Sequence, residues 1–370
     1  MITDVEISNF KCFRRVRLSF GALTLLTGFN GGGKSTALQP LLLLSQWNSP
    51  TKDQRVAVNG RLVSLGTPGD VLPPNASTSN VTFSISTEKL ECTWTLAVRS
   101  GDRTIAVTDV LSTFKEPPNK SGDNIIELCA ELQSIIHVSA IREGTSDYYA
   151  TPPSEHRRKG DVGVDGRFAA YWYDQNVDEE VEPKRRHRGE RGTSLRKQLD
   201  AWMGTLFPGA QANVQALPQV LLYSLHFRLT ETGEWRRPAN VGYGFSYAFP
   251  IIVALLVAET DSIIVIDSPE AHLHPAAQSE MGRLLAHFAA AGVQIILETH
   301  SDHLLNGVRL AVRDRQLAPN DLKMHFFTGA TRDGEHGVVS PSIDVNGRID
   351  EWPQGFFDQS EKDLAQLTSW

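Results

Sequence analysis

Residues Gly28-Phe29-Asn30-Gly31-Gly32-Gly33-Lys34-Ser35 fit the pattern G-x-x-x-x-G-K-[ST], and the apolar run Ala22-Leu23-Thr24-Leu25-Leu26 comes just before them. A phosphate-binding loop needs a buried strand, a glycine-rich turn and a helix start in that order, and this stretch has all three. Glycines let backbone N–H groups converge on phosphate oxygens without Cβ clashes. Lys34 can reach the β- and γ-phosphates as a point charge, and Ser35 can offer its hydroxyl to Mg²⁺. The helix that starts at Lys34 adds its positive N-terminal dipole to the same place. Asn30, Gly31, Gly32, Gly33, Lys34, Ser35 and Thr36 are therefore the candidate contacts with a bound nucleotide, ATP or GTP.

A chain of 370 residues suffices for one large or two ordinary domains. Its longest apolar runs, such as Pro250 to Ala258, are far too short for a membrane span. The opening Met1-Ile2-Thr3-Asp4-Val5-Glu6 has no basic n-region and no signal-peptide core. The three cysteines, Cys12, Cys92 and Cys129, are scattered and suggest neither a disulfide framework nor a zinc site. These features imply a cytoplasmic protein without a membrane partner. The net charge of −7 argues against a generally basic nucleic-acid coat. Charge is uneven, however: Asp178-Glu179-Glu180 is followed by Lys184-Arg185-Arg186-His187-Arg188, which reads either as a solvated loop or as a nucleic-acid contact.

The pattern predicts strands at Ile2–Ile7, Val16–Phe20 and Leu23–Leu26, then a helix to about Gln46 that Pro40 should kink. From Val56 to Phe114 alternation predicts an antiparallel side sheet with one wet face. Ile135–Ala140 reads as a short apolar strand. Residues 143–216, with Pro152-Pro153, several glycines and the charge run, read as a partly flexible insertion. Leu221–Leu229 returns to strand-like alternation. Beyond Gly242-Tyr243-Gly244-Phe245-Ser246, the run Ala248–Ala258 predicts a buried helix with Pro250 in or just past its first turn. Ile263-Ile264-Val265-Ile266 then predicts a buried parallel strand ending in Asp267. Pro275–Ala290 is an amphipathic helix, and Val293–Leu297 a second buried strand ending in Glu298-Thr299-His300. Strand, helix and strand make a βαβ unit. A hairpin is expected across Asn346-Gly347. No repeats or heptads occur. The fold class is α/β: a phosphate-loop parallel sheet, an antiparallel side sheet and a helical or loop insertion. The expected domains are 1–142, 143–216 and 217–370.

Polar residues at the C-terminal ends of parallel strands line the ligand crevice of an open α/β sheet. Asp267, at the end of an apolar strand, is the candidate acid for Mg²⁺, directly or through water. His272-Leu273-His274 has the look of a metal pair, but no cysteine, third histidine or dedicated acid cluster lies near it in sequence.

The order phosphate loop, Gly-x-Gly-x-Ser, hhhhD-x-P-E-x-H-L-H-P and E-T-H-S-D resembles ABC-type ATPase heads of the SMC/RecF kind. Closer still are the AAA ATPases related to the overcoming-lysogenization-defect (OLD) proteins. The opening Ile7-Ser8-Asn9-Phe10-Lys11-Cys12-Phe13 is similar to that group's start, and Gly347 to Asp358 resembles the C-terminal segment of one small branch. The resemblance implies an ATPase using ATP and Mg²⁺, with Ser35 and Asp267 on the metal. It implies that Gly242, Gly244 and Ser246 belong to a degenerate signature motif whose serine caps a partner's nucleotide. His272 to His274 fall on the loop that crosses a dimer interface, and His300 on the switch histidine near the γ-phosphate. Two ATP molecules would be sandwiched in a homodimer that closes with ATP, with a higher oligomer also open.

Two departures matter. Ser268 occupies the usual place of the catalytic glutamate, and Glu270 is the only nearby carboxylate. Either Glu270 orients the attacking water, with Lys34 and His300 as the other catalytic residues, or hydrolysis is slow and ATP acts as a dimerising ligand. No Asp-x-Asp of a Toprim nuclease follows His300. The expected role is therefore an ATPase subunit that controls a separately encoded effector, as in phage defence. The other readings are a DNA-repair ATPase that contacts nucleic acid through Lys184–Arg188, and a nucleotide-binding scaffold with negligible turnover.

Overall fold

The computed structural model describes residues 1–47, 55–74, 76–99, 101–115, 125–153, 158–330 and 336–368. One unit holds Met1–Ile135, Asn320–Asp344 and Ile349–Trp370, and a second holds Ile136–Pro319 and Val345–Arg348.

In chain order the first unit begins with β1 (Ile2–Phe10), β2 (Phe13–Ser19), β3 (Leu23–Gly28) and α1 (Lys34–Ser45). It continues with β4 (Arg55–Ala57), β5 (Asn80–Thr87), β6 (Leu90–Ala97), β7 (Thr104–Phe114) and α2 (Ile125–Gln133). The expected side sheet is present, with strand order β2-β1-β5-β6-β7-β4 and antiparallel pairing throughout. In β6, Leu90, Cys92, Trp94 and Leu96 are buried while the residues between them are half-buried, the period of two of a sheet with one covered face. β3 buries every residue from Leu23 to Thr27, as a strand covered on both faces does. Pro40 lies inside α1, where it removes one N–H from the helical ladder.

The second unit runs through β8 (Ile136–Val138), β9 (Tyr149–Ala150), α3 (Ala169–Asn176), α4 (Leu195–Leu206), β10 (Gln211–Leu217) and β11 (Leu222–Arg228). Then come α5 (Tyr243–Val257), β12 (Ile263–Asp267), α6 (Pro275–Ala290), β13 (Gln294–Glu298) and α7 (Asp302–Arg313). β12 pairs in parallel with both β8 and β13, so the expected βαβ unit stands. The stretch 143–216, of which 154–157 lie outside the described residues, contributes β9, α3, α4 and β10, and buries Tyr149, Tyr173 and Trp202.

α5 differs from expectation. It starts at Tyr243, five residues before the apolar run, so Pro250 sits in the helix interior rather than near its first turn. The glycine and tyrosine residues at its start read as a loop because they lack apolar periodicity. An interior proline costs roughly 3 kcal/mol, which the burial of every residue from Ala248 to Val257 offsets.

The chain returns to the first unit with β14 (Leu322–Ala330), β15 (His336–Val339) and α8 (Gln359–Thr368). β14 is parallel to β3, pairing Leu322 with Leu23 and Phe327 with Gly28. β15 runs antiparallel to β14. The hairpin expected across Asn346-Gly347 reduces to a single bridge, Ile343 to Ile349. Phe356 is fully buried, with ring centroids 5.3 Å from Phe326 and 5.0 Å from Trp352. Among the described residues no helix is long and apolar enough to cross a membrane.

Candidate nucleotide site

In the first unit the end of β3 turns into α1 through a loop shaped by close backbone approach. Phe29 N–H donates to the Phe327 carbonyl of β14 at 3.0 Å. Gly33 is the N-cap of α1 at φ +109°, and a Cβ there would lie 2.5 Å from the Phe13 ring and 2.9 Å from Cys12 Sγ. Only glycine meets both demands. No side chain caps α1, so its first N–H groups stay directed at the loop. Lys34 is buried, and its Nζ donates to the carbonyls of Gly28 (3.2 Å) and Phe29 (3.0 Å), which lays the ammonium across the loop. Asn30, Gly31 and Ser35 are exposed, Gly33 and Thr36 half-buried, and Gly32 buried. His336 Nδ1 donates to the Gly32 carbonyl at 3.1 Å. Phe29 leans on Phe326, 5.7 Å between centroids, and meets Gly355 of the C-terminal segment.

In the second unit β12 ends at Asp267, opposite Glu298 of β13. Ser268 takes φ +48°, donates its N–H to the Glu298 carbonyl at 2.9 Å, and donates its hydroxyl to Asp267 Oδ1 at 2.9 Å. Glu270 Oε1 accepts the backbone N–H of His300 at 2.9 Å, while Oε2 is buried and makes no hydrogen bond. Burial pushes the Glu270 carboxyl above the usual range, opposed by the N–H groups of His300 and Glu270 itself, the Thr299 hydroxyl and the charge of Arg142. The His300 ring is exposed at the end of the adjacent strand.

Arg142 is buried and was not singled out from the sequence, where one arginine after a short strand looks like any solvated residue. Its guanidinium donates to the carbonyls of Ser139 (2.8 Å), Tyr247 (3.3 Å), Asp267 (2.5 Å) and Ser268 (2.7 Å), and it lies over the Tyr247 ring at 5.2 Å. Burial pulls its pKa down to about 10 against the attraction of Asp267, Tyr247 and Glu270, so it stays charged at neutral pH. The fork ties the turn after β12 to the first turns of α5.

The signature residues divide: Gly242 is exposed, whereas Gly244 and Ser246 face the interior. A Cβ at Gly244 would lie 2.9 Å from the His272 carbonyl, and Ser246 is 1 % exposed with its hydroxyl buried. Because α5 begins at Tyr243, the surface carries instead its uncapped N-terminus, with Gly242 as an exposed N-cap and Tyr243 beside it.

The two histidines of the following loop have packing roles. The His272 ring stacks on Tyr243 at 5.3 Å and meets Tyr247 edge-on at 4.5 Å. His274 caps α6, its Nδ1 accepting the Ala276 N–H at 3.3 Å. Among the described residues no group of three metal-binding side chains occurs.

The basic run is also largely engaged. Arg185 is 2 % exposed and donates to the carbonyls of Ala258 and Glu259 at the end of α5, while Arg186 bonds the Val181 carbonyl and Glu180. Arg185 thereby answers the negative end of the α5 dipole. Lys184 and Arg188 alone of the five are exposed.

Residues 23–306 match the family described as "AAA domain, putative AbiEii toxin, Type IV TA system", well over half of the chain. The chain belongs to that family. Residues 317–367 of this AAA protein match a second family, described as "Protein of unknown function (DUF3696)". No curated protein matches it. Its fold is similar to the SmcHead bound to the C-winged helix domain of ScpA, with TM-score 0.55 and 15% identity over 93% of this chain and 98% of that one. An Smc head domain with an extended coiled coil, bound to the C-terminal domain of ScpA derived from Pyrococcus furiosus, gives 0.51 and 13% over 100% and 99%. At such identities the likeness shows the fold alone, and that fold is the expected one: an α/β ATPase head of the ABC type.

Proposed function

We propose that this AAA protein is an OLD-like ATPase subunit that binds ATP with Mg²⁺, hydrolyses it, and closes as a homodimer to control a separately encoded effector in bacterial defence. The observation that carries the reading is the phosphate loop. The positive-φ glycine at 33, the uncapped start of α1 and the Lys34 ammonium laid across the loop form a cradle suited to a polyphosphate. The exposed Ser35 hydroxyl and the Asp267 carboxylate suit Mg²⁺, a hard cation that prefers oxygen ligands. When bound, Mg²⁺ would neutralise charge on the phosphate oxygens.

Glu270 holds a proton-accepting oxygen with no other partner, and it orients water for attack. His300 lies at the next strand end, where it senses the terminal phosphate. Gly242 and Tyr243 present the α5 N-terminus to the nucleotide of a second copy. We assign 1–142 and 217–370 to the ATPase head and 143–216 to an insertion in it. The family's description as a toxin–antitoxin component supports a partner-controlling role. The burial of Arg185 weakens direct DNA binding as an alternative.

The test is calorimetry of Mg²⁺-ATP binding together with phosphate release, for the parent and Lys34→Ala. Loss of a charge-assisted contact should weaken binding by on the order of 10–100-fold. Equal affinity in both proteins would overturn the nucleotide reading, and tight binding without phosphate release would leave a scaffold rather than an ATPase.

A further inference from the structure

The basic run that the nucleotide site does not use borders a cavity of about 200 Å³ elsewhere in the second unit. Its walls come from α4, α6, the loop at His187-Arg188 and Gln316 after α7. One wall is aromatic: the Trp202 ring lies 4.7 Å from His187 and 4.9 Å from His287. The Trp202 indole N–H is spent on the Arg185 carbonyl at 3.2 Å, so the ring offers only its apolar surface.

His187 is locked. Its Nδ1 accepts the Gly189 N–H at 3.1 Å, so Nε2 carries the proton and meets the Thr205 hydroxyl at 3.2 Å. His287 is different. Its ring bonds the Lys184 backbone, and its Nε2 is buried with no hydrogen bond. A buried acceptor left unmatched is costly and calls for an explanation.

The other wall is cationic. Arg283 and Arg188 both line the cavity. Arg283 shares the Asp314 carboxylate with Arg313, at 3.0 and 2.9 Å. Arg188 is exposed and has no ion pair among the described residues. Two arginines, Arg188 and Arg283, and one carboxylate, Glu280, line the cavity, an excess of one positive charge in its walls. Guanidinium forks match the oxygens of phosphate in a way that a single ammonium does not. Ligand pockets for drug-sized molecules hold about 300–1,000 Å³, so this cavity suits something smaller than a whole nucleotide.

We propose that the cavity between Arg188, Arg283, Trp202 and His287 is a second ligand site, separate from the phosphate loop, that binds a small phosphate-bearing molecule. The phosphate lies on the arginines and the rest of the ligand against Trp202. Burial, with Arg188 and His187, pulls the His287 pKa down to about 4, which keeps its ring a neutral acceptor for a ligand hydroxyl.

The probe is inorganic phosphate, titrated calorimetrically into the full chain carrying Lys34→Ala, in which the phosphate loop has lost its charge-assisted contact. Saturable binding in the millimolar range or tighter is expected, with a shift of the His287 ring resonances. Adding Arg188→Gln should weaken it about tenfold, the loss of one charge-assisted contact. Arg188 is exposed, so this variant should keep the parent's melting temperature. No saturable binding in the Lys34→Ala protein, or the same affinity with and without Arg188, overturns the site. Binding that only the parent shows belongs to the phosphate loop and overturns this site while leaving the nucleotide reading intact. Acetate binding as tightly as phosphate overturns the phosphate assignment.

Discussion

Glu270 and His300 are joined across neighbouring strand ends: the carboxylate takes the histidine's backbone N–H at 2.9 Å. One carboxylate oxygen is thereby fixed, and the other is left buried without a partner. Glu270→Gln can keep the bond from His300, since an amide oxygen also accepts, but it cannot take a proton from water. Steady-state turnover should fall by ~10²-fold or more with ATP binding unchanged. Turnover equal to the parent's places the base elsewhere.

The same carboxyl sets a pH profile. Burial raises its pKa above the ordinary 4.5, so it keeps its proton to a higher pH than an exposed glutamate does. If its ionised form is the base, turnover rises as pH climbs through the raised value, and the acid limb disappears in Glu270→Gln. Folding stability runs the opposite way. The contribution of the protonated, buried form is fully present below the unfolded pKa and is lost as pH rises through the folded one. Rate and melting temperature measured over the same pH series check both signs.

Arg142→Lys should be far from conservative. A single ammonium cannot span four carbonyl acceptors, and each buried acceptor left unmatched costs about 1–3 kcal/mol. The melting temperature should drop by several degrees, at about 2–3 °C per 2 kcal/mol for a chain of this size. Because the fork holds the backbone on either side of Asp267 and Ser268, kcat should fall more than KM rises. A variant that melts early yet retains the parent's kcat at low temperature would reduce Arg142 to a stabilising role.

Ser268→Glu places an acid where related ATPases carry one, yet a gain in rate is not expected. Residue 268 sits at φ +48°, and its side chain is directed at Asp267 Oδ1. A carboxylate there meets the Asp267 carboxylate, which raises one pKa, and the positive φ strains the longer side chain. Turnover at or below the parent's is the expected outcome, and a faster enzyme would contradict it.

Gly242→Asp tests assembly. Gly242 has φ −66°, and no atom lies within 4 Å of where a Cβ would stand, so aspartate fits and can cap α5. Its charge would meet the phosphates of a second copy's ATP. Light scattering of the Glu270→Gln protein with ATP should show a dimer, and the double variant a monomer with unchanged ATP affinity. A dimer in both would remove the α5 N-terminus from the interface.

Much of this was readable from residues alone. β12, α6 and β13 came within a residue of expectation because continuous apolar runs and Pro275 mark them sharply. The start of α5 was not readable, since Gly242 to Tyr247 carries no helical period and its packing against His272 comes from distant sequence. That shift of five residues turned Ser246 inward. Arg142 was invisible for a related reason: its partners are backbone carbonyls, and backbone leaves no trace in residue identity. The five-residue basic run misled because charge alone cannot tell Arg185, spent on a helix end, from Arg188 in the open.

The parallel pairing of β3 with β14 has a consequence for how the protein is made. Leu23 is synthesised well before its neighbour Leu322, which appears only after the entire segment Ile136–Pro319 has been made. That segment is continuous and can close its own core in the meantime. Through that interval the strand leading into the phosphate loop has no β14 to pair with and offers a bare edge to other chains. A nascent chain stalled before residue 322 should therefore be the species most prone to aggregate and most dependent on chaperones.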